Sequence, residues 1–223
     1  MRTAADIKTP DGKSIRRKDA IIYLGSLLDA NGQAGPELNR RLGAARADFL
    51  ALQTPWAHST LSRHRKLAVF SSCVLSKLMY CVFTMTLRAV EQARLDAFQA
   101  WCLRKITRIP HSFYSRISNT TVLNICGHSP LSMQVKQQQM IYMGKIARQA
   151  ASNPLRQSIF LNEGLDIRKP IGKLRRGRPR QRWGPSVMNN CLEVAGSTVR
   201  LAELFRPKRG ADVAWQSAVR AVY

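Results

Sequence analysis

The acidic residues are too dispersed to suggest a metal site for polymerase or nuclease chemistry. Such chemistry needs carboxylates that cluster around two divalent ions. The thirteen Asp and Glu residues include no adjacent pair and no Asp-x-Asp motif. Zinc would need paired Cys or His ligands, and nothing obvious completes the close combination Cys126-Gly127-His128. The sequence therefore predicts no catalytic residue and no metal ligand in this chain.

The cationic residues, by contrast, suggest phosphate binding. Thirty-six Lys and Arg give a formal net charge of +23, and such an excess usually implies a polyanionic partner. Residues 168–182 hold eight of these cations and no acid, and their Gly and Pro residues prevent a regular helix. A nuclear-localisation signal and a solvated linker are alternative interpretations of this segment. We predict nucleic-acid contacts from Lys173, Arg175, Arg176, Arg178, Arg180, Arg182 and Trp183.

The aromatic residue that ends this basic segment has two interpretations. Trp183 could stack on a base beside arginines that bind phosphate oxygens bidentately. It could equally anchor the helix that is predicted from Pro185 to Val194. The sequence does not separate the two roles.

Residues 61–109 have the hydrophobic period of two long helices. Apolar side chains recur every three or four residues on both sides of a break near Arg88, and Pro110 stops the pattern. Two such helices should pack as an antiparallel hairpin, with an apolar seam inside and cations outside. The surface cations predicted to contact nucleic acid on this pair are Arg63, Arg65, Lys66, Arg104, Lys105 and Arg108.

Residues 67–87 are long enough to be considered as a membrane span. Their nine Leu, Val and Phe residues contribute about −3 to −5 kcal/mol on the insertion scale, but the central Lys77 costs about 2.5–3.5 kcal/mol. We therefore favour a helix of a soluble bundle and no membrane partner. The N-terminus has no secretory pattern, and the five widely spaced cysteines suit free thiols. We expect a reducing location, in the nucleus or the cytoplasm.

The remaining patterns predict a mainly α-helical chain with a small β-structured N-terminus. Pro10-Asp11-Gly12 is a hairpin-type turn signal between β-prone residues 7–9 and 14–15, and residues 20–24 form another β-prone run. We predict a helical bundle with an N-terminal β-hairpin or edge, and a basic loop before C-terminal helices. The predicted domains are a β-hairpin at 1–34, a helical domain at 35–160, a basic linker at 161–184 and a helical tail at 185–223.

Local signals place several helix boundaries. Gly35-Pro36 and Asn153-Pro154 predict helix starts, because proline is well tolerated in the first turn. Asn119 or Thr120 is expected to cap a short helix that ends at Gly127. Thr54-Pro55 is expected to end the first helix.

Taken in order, several of these segments resemble the C-terminal part of the reverse transcriptases of non-LTR (LINE-type) retrotransposons. The similarity covers residues 7–190. It rests on Tyr23-Leu24-Gly25, on residues 37–49, 66–80, 98–106 and 113–123, and on the sequence from Arg176 to Trp183.

The resemblance implies a thumb-like helical domain that lies along a template–primer duplex of RNA or of RNA and DNA. It also implies that Tyr23, Leu24 and Gly25 belong to a primer-grip-like hairpin at the edge of the catalytic palm. The Tyr/Phe-Ala-Asp-Asp motif of that palm, which holds Mg²⁺, and the endonuclease domain are not found here. We therefore expect a fragment with no cofactor and no polymerase activity of its own, whose partners are nucleic acid and the missing palm and endonuclease portions. A freestanding basic RNA-binding or adaptor protein and an inactive pseudogene product are the alternatives.

Overall fold

The computed structural model describes residues 8–15, 18–161, 164–169 and 181–222. Within them the chain is mainly helical and has a two-stranded antiparallel N-terminal hairpin, so the predicted fold class is confirmed. The first elements are β1 (Ala20–Tyr23), β2 (Ser26–Asp29), α1 (Gly35–Ala51), α2 (Gln53–Ala57), α3 (Arg63–Val69), α4 (Ser76–Met79) and α5 (Ala89–Thr107). The later helices are α6 (Ser112–Ser115), α7 (Asn119–Cys126), α8 (Leu131–Ala147), α9 (Pro154–Ile159), α10 (Trp183–Ala195), α11 (Thr198–Phe205) and α12 (Ala211–Val222).

The N-terminal hairpin turns at a different place from its strongest turn signal. Strands β1 and β2 pair from Ala20 opposite Asp29 to Tyr23 opposite Ser26. Leu24 and Gly25 connect them with φ angles of 46° and 78°, as a tight turn with two left-handed residues requires. Around Pro10-Asp11-Gly12, by contrast, the described residues form a single bridge between Lys8 and Ser14. The residues on the two sides of that turn are therefore paired in antiparallel fashion but do not form strands, and Ile7 lies outside the described residues.

The first of the two central helices is continuous from Arg63 to Met79, and its middle part, Phe70–Leu75, is π-helical. A left-handed Cys81 and a short 3₁₀ turn, Val82–Thr84, separate it from α5. Helices α3 and α5 pack against each other, as the hydrophobic pattern predicts. Among the described residues, Arg63–Thr84 is the stretch whose length and hydropathy would allow it to cross a membrane, and 28% of its most apolar window is buried in the fold.

Most of the predicted helix starts are confirmed, and one helix end is not. Pro36 lies in the first turn of α1, and the side chain of Asn153 caps α9. Helix α7 is capped by Ser118, one residue before the first predicted cap. Helix α1 already ends at Ala51, and Thr54-Pro55 lies inside α2.

Helix α8 passes through both hydrophobic cores. Its first half contributes Leu131 and Val135 to a core that includes α1, α3, α5 and α7. Its second half contributes Met140 and Met143 to a core formed with α10, α11 and α12. The division between the cores therefore falls within α8, and the predicted tail at 185–223 packs on a helix of the predicted domain at 35–160.

Gly144 in α8 provides a test of this second core. A Cβ at Gly144 would lie 2.5 Å from Cδ1 and 2.6 Å from Nε1 of the buried Trp215. We expect Gly144→Ala to lower the free energy of unfolding by about 1–3 kcal/mol. Gly43→Ala, on the exposed side of α1 with nothing within 4 Å, should raise it by about 0.5–1 kcal/mol. Urea unfolding measures both changes, and effects of the same sign would contradict the packing around Trp215.

Candidate nucleic-acid interface

Two adjacent carbonyls at the end of α2 bring the start of α3 and the end of α5 together. Lys66 Nζ donates to the carbonyl of Trp56, and Arg108 Nη2 donates to the carbonyl of Ala57, each over 2.8 Å. These bonds fix the first turn of α3 and the C-terminal cap of α5 on the same short helix. The exposed Arg63 and Arg65 of α3 are thereby brought to the same end of the molecule as Lys105 and Arg108.

A fifth cation joins this group from α1. The guanidinium carbon of Arg46 lies 4.9 Å from the ring centroid of Trp101, one helical turn before Lys105. No feature of the sequence indicates that the side of α1 that carries Arg46 faces α5. We refer to the resulting group as the cationic end, and its members are Arg46, Arg63, Arg65, Lys105 and Arg108.

The cationic end is not neutralised by the ion pairs of the described residues. Those pairs join Glu37 to Arg40 and Arg41, Asp48 to Lys77, and Glu91 to Arg88. None of them includes a member of the cationic end. These side chains therefore offer positive charge to an external anion.

Two of the predicted surface cations are buried. Lys66 is 6% exposed, and its ammonium group donates to the carbonyl of Trp56. Arg104 is 7% exposed, and it donates to the carbonyls of Pro110 and Ile117 and to Oδ1 of Asn119. The prediction that these two cations lie on the surface was wrong, because Lys66 donates to a carbonyl of α2 and Arg104 donates to carbonyls of the segment after α5.

Trp183 has the position of a helix anchor. Its indole Nε1 donates to the carbonyl of Phe83 over 2.7 Å, and its ring meets Tyr142 edge to face, with centroids 6.1 Å apart. It thus attaches the start of α10 to the 3₁₀ turn and to α8. Arg182, just before it, is half-buried. The other predicted cations of the basic segment lie outside the described residues: Lys173, Arg175, Arg176, Arg178 and Arg180.

The two interpretations of Trp183 lead to different experimental results. We expect Trp183→Phe to lower the free energy of unfolding by about 0.5–1.5 kcal/mol, because the carbonyl of Phe83 loses its donor. Affinity for an oligonucleotide should not change. Urea unfolding and fluorescence anisotropy measure the two quantities. Unchanged stability together with weaker oligonucleotide binding would support base stacking and contradict the anchor role.

The residues predicted as primer-grip-like form the exposed turn of the hairpin. Tyr23 is 61% exposed and Leu24 is 78% exposed. The carbonyl of Gly25 accepts a hydrogen bond of 2.7 Å from Arg40, whose guanidinium also pairs with the buried Glu37. The turn is therefore attached to α1 through its backbone, while two of its side chains remain exposed.

Burial shifts the pKa of several titratable side chains among the described residues. No three His, Cys, Asp or Glu side chains in this part of the chain lie close enough to hold a metal ion. All five cysteines are free thiols, and burial raises the pKa of Cys102, Cys126 and Cys191, which makes them poor nucleophiles. Burial lowers the pKa of His128, beside the ring of Phe70. These groups have the properties of core residues.

No protein-family model, no curated protein and no solved structure matches this chain.

Proposed function

We propose that this chain binds the sugar–phosphate backbone of RNA or of an RNA–DNA duplex, with little sequence preference, and does not polymerise by itself. In this proposal it is the thumb-like part of a retrotransposon-encoded, RNA-directed DNA polymerase. The observation that carries the proposal is the cationic end, where α1, α3 and α5 present five cations outside the ion pairs of the described residues.

The physical basis is the release of counterions from the nucleic acid. Each phosphate that is neutralised by Lys or Arg releases condensed cations, and this gain requires no contact with a base. Four of the five cations, Arg63, Arg65, Lys105 and Arg108, come from helix ends that the carbonyls of α2 hold together. Because the backbone of such a group is already ordered, its side chains can bind consecutive phosphates without a large entropic cost.

The exposed N-terminal strand supports the proposed partnership with a palm domain. Neighbouring residues of a strand point to opposite faces. Ile21 is 57% exposed and Ile22 is 63% exposed, so both faces of β1 are uncovered within the described residues. Apolar side chains on both faces are typical of a strand that belongs to a larger sheet, because an isolated hairpin is only marginally stable.

A four-residue charge variant tests the proposal. We expect Arg63→Gln, Arg65→Gln, Lys105→Gln and Arg108→Gln together to weaken binding of an RNA–DNA duplex about tenfold to a hundredfold at 0.15 M salt. The matched control neutralises four exposed arginines of the C-terminal region: Arg200, Arg206, Arg209 and Arg220. Fluorescence anisotropy measures the affinities, and urea unfolding verifies that each variant is folded. Equal losses in the two variants would contradict a localised interface.

A further inference from the structure

We propose that a pocket beside the cationic end takes a single unpaired nucleobase, while Lys105 and Arg108 meet the phosphates on either side of it. This inference rests on the proposed function and adds a base-dependent component to it. The pocket has a volume of about 400 Å³ and lies between the end of α1, helix α2 and the second half of α5. The lining residues that matter here are Phe49, Gln53, Trp56, Trp101, Lys105 and Arg108.

The aromatic wall of the pocket is held in place by contacts within the fold. Trp56 is buried, and its Nε1 donates to the carbonyl of Phe49 over 2.8 Å. The rings of Phe49 and Trp56 stack with centroids 5.1 Å apart and an interplanar angle of 20°. The half-buried Trp101 contacts Phe49, with ring centroids 5.2 Å apart, and the guanidinium of Arg46. The wall is therefore pre-organised, which lowers the entropic cost of binding a planar group.

The chemistry of the lining fits a nucleotide. Phe49 and Trp56 are only 2% and 6% exposed, whereas Trp101 is half-buried, so Trp101 is the lining ring on which a base can stack. Stacking accepts any base, because every base has a π-face. The amide of Gln53, at the exposed start of α2, can both donate to and accept from a base edge. Lys105 and Arg108 supply positive charge at the pocket, and no Asp or Glu of the described residues lines it.

A nucleic acid is favoured over an acidic peptide because the cations extend beyond the pocket. The contacts of α2 with Lys66 and Arg108 bring Arg63 and Arg65 of α3 to the same end of the molecule. A strand whose base enters the pocket could therefore continue along further cations through its regularly spaced phosphates. An aromatic side chain of a peptide could also fill the pocket, but that contact would not require Arg63 and Arg65.

The test compares two strands that have the same number of phosphates, one with bases and one without. Fluorescence anisotropy at one salt concentration gives the affinities for an oligothymidylate and for an abasic strand of the same length. We expect wild type to prefer the oligothymidylate about 5-fold to 150-fold. Trp101→Leu should bring this ratio close to one and leave the abasic affinity unchanged. Trp183→Phe is the matched control, and it should retain the wild-type ratio.

Photo-cross-linking of wild type keeps the test independent of how well Trp101→Leu folds. A strand that carries 5-iodouracil should cross-link to the α5 segment that contains Trp101, and cross-links confined to other segments would overturn the inference. Equal wild-type affinity for both strands, or binding of an RNA–DNA duplex but of neither strand, would overturn the base pocket and leave the proposed function intact. Failure to bind the duplex as well would overturn both. Trp101-dependent binding of an acidic, tryptophan-containing peptide without any base preference would assign the pocket to a protein partner and overturn the inference.

Discussion

Replacing Glu37 by alanine is expected to lower the free energy of unfolding by about 3–5 kcal/mol. Glu37 is 1% exposed, and its carboxylate pairs with Arg40 over 2.7 Å and with the buried Arg41. It also accepts from the hydroxyl of Ser26 and from the backbone of Leu27 in β2. Its removal would leave the charge of Arg41 buried without an anion and would detach the hairpin from α1.

The control for this prediction is an ion pair at the surface. Asp48 pairs with Lys77 over 3.0 Å, and the side chain of Lys77 is 67% exposed. Asp48→Ala should therefore cost only about 0–1 kcal/mol. Urea unfolding monitored by circular dichroism gives both values. A loss of less than 1 kcal/mol for Glu37→Ala would contradict the role of Glu37 in joining the hairpin to the helices.

The same carboxylate contributes to acid sensitivity. Burial alone would raise the pKa of Glu37, but the hydrogen bonds from Arg40 and Leu27 and the charge of Arg41 outweigh it and hold the pKa below its ordinary value of 4.5. Below pH 4.5 the unfolded chain therefore binds this proton more readily than the folded chain does, and stability falls as the pH falls. Glu37→Gln should show a smaller loss of stability than wild type over this range.

Trp215→Ala is expected to lower the free energy of unfolding by about 3–5 kcal/mol. Trp215 is fully buried in the second core, where its ring meets Phe205 edge to face with centroids 5.1 Å apart. Its Nε1 donates to the carbonyl of Met140 over 2.8 Å. The substitution therefore leaves a large cavity between α8, α11 and α12 and removes a buried donor.

Val213 provides the control on the same helix. It is 62% exposed on α12, so Val213→Ala should change the free energy of unfolding by no more than about 0.5 kcal/mol. Comparable effects at Val213 and Trp215 would contradict the assignment of the α12 face that packs on α8. A loss below about 1.5 kcal/mol for Trp215→Ala would do the same.

Local signals were sufficient to predict those helices whose ends depend on one or two residues. Pro36 and Asn153-Pro154 mark helix starts through their own backbone and side-chain chemistry, so no distant contact was needed. The mainly helical fold class followed from such signals.

The features that depend on tertiary contacts could not be predicted in this way. Leu24 is left-handed at the hairpin turn, although a leucine there is not a turn signal. Lys66 and Arg104 have the side chains of surface residues, and they are buried because carbonyls of α2 and of the segment after α5 need donors. The pocket beside Trp101 combines three helices from two parts of the sequence. The prediction that four cations are surface residues was confirmed for Arg63, Arg65, Lys105 and Arg108. Their proximity at α2 depends on tertiary contacts.

The measurement that tests the nucleic-acid interface most directly is the salt dependence of binding to an RNA–DNA duplex. The logarithm of the association constant should fall steeply and linearly with the logarithm of salt concentration for wild type. Neutralising Arg63, Arg65, Lys105 and Arg108 should reduce the magnitude of this slope by up to about 3.6, because each phosphate contact contributes about 0.9. The control with four C-terminal arginines replaced should retain the wild-type slope. A slope that is the same in wild type and in the variant of the cationic end would contradict the proposed interface.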